Sequence, residues 1–139
     1  MLKFSYLFVI LLSLSACGAG NKSLTGQYLE SISAGDITTA KSLFCGLTDD
    51  LRIMELTSAD SWEIISESPQ VFGEVELTSI EVQVTSKLRG DGQYIISVAN
   101  AEDIEAFIQH SNKTLGYTDI YEPSQYKQSG ECIAATQKA

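Results

Sequence analysis

The hydrophobic period of this chain changes at Pro69, and that change limits the folds open to it. Before Pro69 the apolar residues recur every three or four positions; after it they alternate. The first spacing lines side chains along one stripe of a helix, and the second puts them on one face of a strand. Helices followed by strands, without the regular helix–strand alternation of a parallel sheet, is an α+β order. The expected fold is therefore a set of N-terminal helices packed on a curved antiparallel sheet.

The helical half has readable punctuation. Leu24, Tyr28 and Ile32 share a face, Ser23 stands where a cap is needed, and Gly35 suits a left-handed C-terminal turn. Asp36 then caps a second helix with the stripe Ile37, Ala40, Phe44 and Leu47, weakened or ended at Gly46, so that Cys45 falls near its end. The stretch from Thr48 to Pro69 reads as one or two short helices capped by Asp49 and Asp60, with Leu51, Met54, Trp62 and Ile65 turned inward and Pro69 closing it.

In the strand half the parity shifts. Phe72 precedes Val75 and Leu77 on odd positions, whereas Ile80, Val82 and Val84 are even. A parity change flips the buried face unless an extra residue restores it, so a bulge or bend is expected near Thr78-Ser79. Arg89-Gly90-Asp91-Gly92 reads as a hairpin turn leading into Tyr94, Ile96 and Val98. Residues 100–110 turn helical through Ile104, Phe107 and Ile108, with Asn100 as the candidate cap; continuation of the sheet is the alternative. A short strand is expected around Tyr117–Tyr121, and Cys132 to Thr136 supplies a last strand or an extended segment.

Phe4 to Ala16 is a short, mostly apolar run behind Lys3. Thirteen helical residues reach roughly 20 Å, against about 30 Å of bilayer core, which fits the apolar region of an export signal better than a permanent span. Leu14-Ser15-Ala16-Cys17 resembles the lipobox of bacterial lipoproteins. That resemblance implies a signal peptide at residues 1–16, cleavage after Ala16, and lipid on the Cys17 thiol. Residues 17–23 become a lipidated tether and 24–139 a single α+β domain. Two or more acyl chains, palmitate among them, hold stably to a membrane where one does not. Gly18 rather than aspartate after the cysteine points, in a diderm host, to the outer membrane and its periplasmic face. An ordinary signal peptide cut after Ala16 or Ala19 is the alternative.

With Cys17 occupied by lipid, Cys45 and Cys132 remain, and export puts them where disulfides persist. One bond is possible, tying the early helices to the C-terminal segment; two separate buried thiols are the alternative. The chain has 9 basic and 18 acidic residues, and the leader removes only Lys3. That balance disfavours nucleic acid, which is bound through Lys and Arg on phosphate. The expected partners are the membrane, through the N-terminal lipid, and an envelope protein or small ligand.

The joint Ala34-Gly35-Asp36, followed by Ala40, resembles small secreted domains of the nuclear-transport-factor-two-like fold, over roughly residues 23–100. The resemblance implies helices packed into a curved sheet to form a cone with a pocket, for which Trp62, Phe72, Tyr94 and Phe107 are candidate lining. The helix at 100–110 and the short tail depart from that family's long closing strands, and a cystatin-like or plain α+β sandwich is the alternative.

No nucleophile elbow, phosphate loop, dinucleotide fingerprint, calcium loop or zinc spacing is present in the sequence, so no catalytic residue, metal ligand or cofactor is assigned. The leading functional expectation is a membrane-anchored envelope lipoprotein with a non-catalytic ligand- or protein-binding domain. The alternatives are a small enzyme using a carboxylate inside a cone, with or without His110 or a tyrosine as a second group, and a structural or inhibitory protein acting through an exposed apolar patch.

Overall fold

The computed structural model describes residues 23–139. The segments expected from the sequence to be a signal peptide (residues 1–16) and most of a lipidated tether (residues 17–23), Cys17 included, lie outside the described residues. Three helices come first: α1 (Leu24–Ser33), α2 (Ile37–Ser42) and α3 (Asp50–Leu56). Strands β1 (Ser61–Phe72), β2 (Val75–Thr85) and β3 (Gly92–Asn100) follow. A 3-10 turn then leads into α4 (Ile104–Leu115), and β4 (Glu131–Lys138) closes the chain. The strands form one antiparallel sheet in the order β1-β2-β3-β4, giving the α+β architecture.

The caps are set by side chains near the expected positions. Ser23 Oγ accepts from Gly26 N at 3.1 Å, Asp36 from Thr39 N at 3.2 Å and Asp49 from Arg52 N at 3.1 Å. Each satisfies an amide that a helix start leaves unpaired. Gly35, at φ 77°, makes the left-handed turn between α1 and α2. Asp60 caps no helix; its carboxylate accepts from Lys87 N at 2.7 Å and its own N–H donates to Thr85 O, which starts the β1–β2 pairing.

The change of period therefore falls at Asp60, nine residues before Pro69. Trp62 and Ile65 belong to β1, not to a helix. Pro69 sits within this strand opposite Thr78 and is accommodated because β1 is a sheet edge, where one side needs no donors. In α3 the inward residues are Ile53 and Leu56, at 3% and 2% exposure, while Leu51 and Met54 face out at 54% and 53%. Helix α2 ends at Ser42, so Leu47 is not on its stripe and stands 78% exposed. Tyr117–Tyr121 is irregular chain, and α4 runs to Leu115, which places His110 inside the helix.

The parity shift in β2 has a simpler cause than a bulge. The pairing of β2 is continuous through Thr78 and Ser79 on both sides. The extra residues lie elsewhere, between Ile64 and Ser66 of β1 and in β4 opposite Ser97–Val98. Both faces of the sheet are covered, at different ends. Ile80, Val82 and Val84, with Tyr94, Ile96, Val98 and Ile133, face α1–α3 on what is here called the inner face. Val75 and Leu77, with Ala99 and Cys132, face α4 on the outer face. A strand buried on one face at one end and on the other at the opposite end must change parity in between.

The two layers are tied at the β4 edge. After α2 the chain runs beside β4: Ile133 N donates to Leu43 O at 2.8 Å and Cys45 N to Ile133 O at 2.9 Å. Cys45 then bonds Cys132 across 87 positions of sequence. The strap meets the β4 edge at Ile133 and sets Phe44 in the inner core and Cys45 in the outer cluster, before the chain returns to the inner face as α3.

Candidate outer-face groove

Helix α4 begins where β3 ends, and only part of its surface is apolar. Ile104 is buried at 3% exposure, while Phe107 and Ile108 are half-buried against Val75, Leu77 and their neighbours. Gly116, at φ 74°, ends the helix and reverses the chain. Asn112 then clasps the returning segment: its Nδ2 donates to Asp119 O at 2.7 Å and its Oδ1 accepts from Asp119 N at 3.1 Å.

This arrangement leaves a groove of about 410 Å³ between α4, the 117–119 segment and the outer face of the sheet. Its apolar wall is Phe72, Leu77, Phe107, Ile108, Leu115 and Tyr117. The rings of Phe72 and Phe107 meet edge to face at 5.7 Å, which fixes both. The sheet floor carries small or uncharged polar groups, Ser97, Ala135 and Gln137 among them, so nothing large fills the space. Asp119 is the one charged residue in the lining, and its carboxylate has no hydrogen bond or ion pair among the described residues.

The four aromatic residues singled out from the sequence divide between two places. Phe72 and Phe107 line this groove. Tyr94 and Trp62 pack with the inner core, where Tyr94, 6% exposed, donates its hydroxyl to Glu55 Oε2 at 3.2 Å. Arg52 holds the other Glu55 oxygen at 3.0 Å. Burial, then the Glu55 charge, pushes the Tyr94 hydroxyl above its ordinary value. Tyr126 shifts the same way, through burial and then Asp119.

His110 packs against the β1–β2 turn. A methyl group added at Gly73 would come within 2.7 Å of its Nδ1, and Gly73 also has φ 60°, so the turn needs glycine twice over. Its Nε2 lies 3.3 Å from Thr114 Oγ1, and no carboxylate bonds it among the described residues. Among the described residues no three His, Cys, Asp or Glu side chains gather to hold a metal ion. A second, more open depression of about 300 Å³ lies between α2 and α3, where Lys41 and Asp50 pair at 3.4 Å.

Leu115, Tyr117 and Asp119 were not singled out from the sequence. The one available signal was Gly116, since a left-handed cap brings residues on either side of the turn together. The Asn112 clasp has no sequence signature, because its partner atoms are backbone. No protein-family profile, curated protein or solved structure matches the chain.

Proposed function

We propose that this protein is a lipid-anchored lipoprotein of the bacterial cell envelope whose α+β domain binds a ligand or partner protein, without catalysis, in the outer-face groove. The observation that carries the binding role is the unfilled groove of about 410 Å³ beside the fixed Phe72–Phe107 pair. Ligand sites are concave, mostly apolar and carry a few placed polar groups, and this one has that make-up. The anchor rests on Leu14-Ser15-Ala16-Cys17. Lipid at Cys17 would tether the domain by about six residues, or at most roughly 20 Å, from the membrane. In a diderm host the periplasmic face of the outer membrane is the location this reading favours.

Two measurements test it. Cys17→Ser should leave an uncut precursor that takes up no labelled palmitate; processing at the same bond without lipid would overturn the anchor. Ala135→Trp places an indole on the exposed groove floor. Photo-crosslinking from Leu115 in intact cells should give a discrete adduct that Ala135→Trp removes. An adduct pattern indifferent to that substitution would overturn the groove as the binding surface.

A further inference from the structure

We infer that the groove selects a small organic cation, an ammonium group carried on an apolar or aromatic body. The inference rests on the reading of the groove as a binding site and adds its ligand class. Three features of the lining carry it. Phe72, Phe107 and Tyr117 offer aromatic surface, and the negative face of an aromatic ring attracts a cation. Asp119 is the one charged residue of that lining, its carboxylate has no hydrogen bond or ion pair among the described residues, and its backbone is fixed on both sides by Asn112. No lysine or arginine lines the groove, so an anionic ligand would bring its charge to a carboxylate with nothing to offset it.

The remaining polar groups, Gln70, Ser97, Ser111 and Gln137, are uncharged and can accept from an ammonium or meet a hydroxyl. The volume limits the body of the ligand to a single ring or a short chain. Neighbouring sites do not share this pattern. The depression between α2 and α3 contains Lys41 already paired with Asp50, and its lining has no aromatic residue. The hollow at the start of α1 holds about 90 Å³ and is lined by Glu67 and Glu131 without an aromatic ring.

The test uses the mature lipidated protein in nanodiscs of zwitterionic lipid, with empty nanodiscs as reference. Three probes of matched shape are titrated by calorimetry: phenethylammonium, 2-phenylethanol and 3-phenylpropionate. Phenethylammonium should bind tightest and 3-phenylpropionate weakest. Asp119→Asn, which keeps the shape of an exposed side chain, should weaken phenethylammonium about tenfold, the size of one charge-assisted contact, and leave 2-phenylethanol unchanged. Ala135→Trp should abolish both. Equal binding of the three probes, or indifference of phenethylammonium to Asp119→Asn, would overturn the cation class while leaving the groove intact. Binding of no probe would likewise overturn the cation class, whereas binding that survives Ala135→Trp would overturn the groove reading itself.

Discussion

The two faces of the sheet are built from the same strands and put to different ends. On the inner face, seven sheet residues from Ile80 to Ile133 lie under three helices, and none is more than 8% exposed. On the outer face, α4 seals only the end around Val75, Leu77, Ala99 and Cys132, and the floor beyond it is serine, alanine and glutamine. Fully burying an aliphatic side chain contributes about 1.5–3 kcal/mol, so the inner face carries most of the stabilisation. That leaves the outer face free to be under-filled. The disulfide stands at the junction, because Cys45 arrives from the helical layer and Cys132 faces α4.

The largest way to break the comparison is to cut that junction. Removing the bond with Cys45→Ala and Cys132→Ala together should cost about 4–5 kcal/mol by the loop-closure entropy of so long a loop, measured by urea unfolding. A loss under 1 kcal/mol would mean that the strap hydrogen bonds between Leu43, Cys45 and Ile133 hold the layers together unaided.

Single substitutions on the two faces sharpen the contrast. Ile96 is fully buried on the inner face, and Ile96→Ala should cost about 2–5 kcal/mol. Leu115, 62% exposed at the groove rim, should change stability by less than about 0.5 kcal/mol as Leu115→Ala. Comparable losses at the two sites would refute the division of labour. Gly46→Ala falls between them. Its new methyl group would meet the Tyr126 ring and the Gln125 carbonyl, and overpacking of this kind costs about 1–3 kcal/mol. That cost should appear together with altered Tyr126 fluorescence.

How far these differences could be read from the sequence depends on which forces acted locally. The caps at Ser23, Asp36 and Asp49, the turn at Gly35 and the stripe of α4 were legible because a helix start or end satisfies its own backbone within a few residues. The stretch after α3 misled because Trp62, Ile64 and Ile65 are compatible with either period, and Pro69 looks like a boundary until β1 is known to be an edge. The phase of α3 misled for a related reason. Its seven residues offer two apolar pairs, Leu51 with Met54 and Ile53 with Leu56, and only tertiary packing selects the second. The parity change in β2 was visible, but its meaning was not, because a sequence does not say that a second layer covers the far face. Of the groove, Phe72 and Phe107 were legible as candidate pocket aromatics, named together with Trp62 and Tyr94, which pack with the inner core instead. Asp119 was not, since its position is set by backbone hydrogen bonds to Asn112 from seven residues away.

The smallest effect at neutral pH tests the inner face most finely. Tyr28 is wholly buried, and its hydroxyl has no hydrogen-bond partner among the described residues. A buried hydroxyl that bonds to nothing contributes nothing to offset its lost hydration, so Tyr28→Phe should be neutral or stabilising by up to about 1 kcal/mol near pH 7. Alkali should enlarge the difference. Burial first, and the charge of Asp49 second, hold the folded-state hydroxyl above its ordinary value of 10.0. Below about pH 10 both the folded and the unfolded chain keep this proton, and the group gives stability no pH dependence. Above about pH 10 the unfolded chain releases it and the folded chain does not, so stability falls as pH rises, by up to about 1.4 kcal/mol per pH unit. Urea unfolding of Tyr28→Phe should therefore show a shallower alkaline decline than the parent protein. The decline that remains belongs in part to Tyr94 and Tyr126, which are also raised. Parallel declines in the two proteins would mean that water reaches the Tyr28 hydroxyl, and that the inner face is less completely closed than the outer groove makes it look.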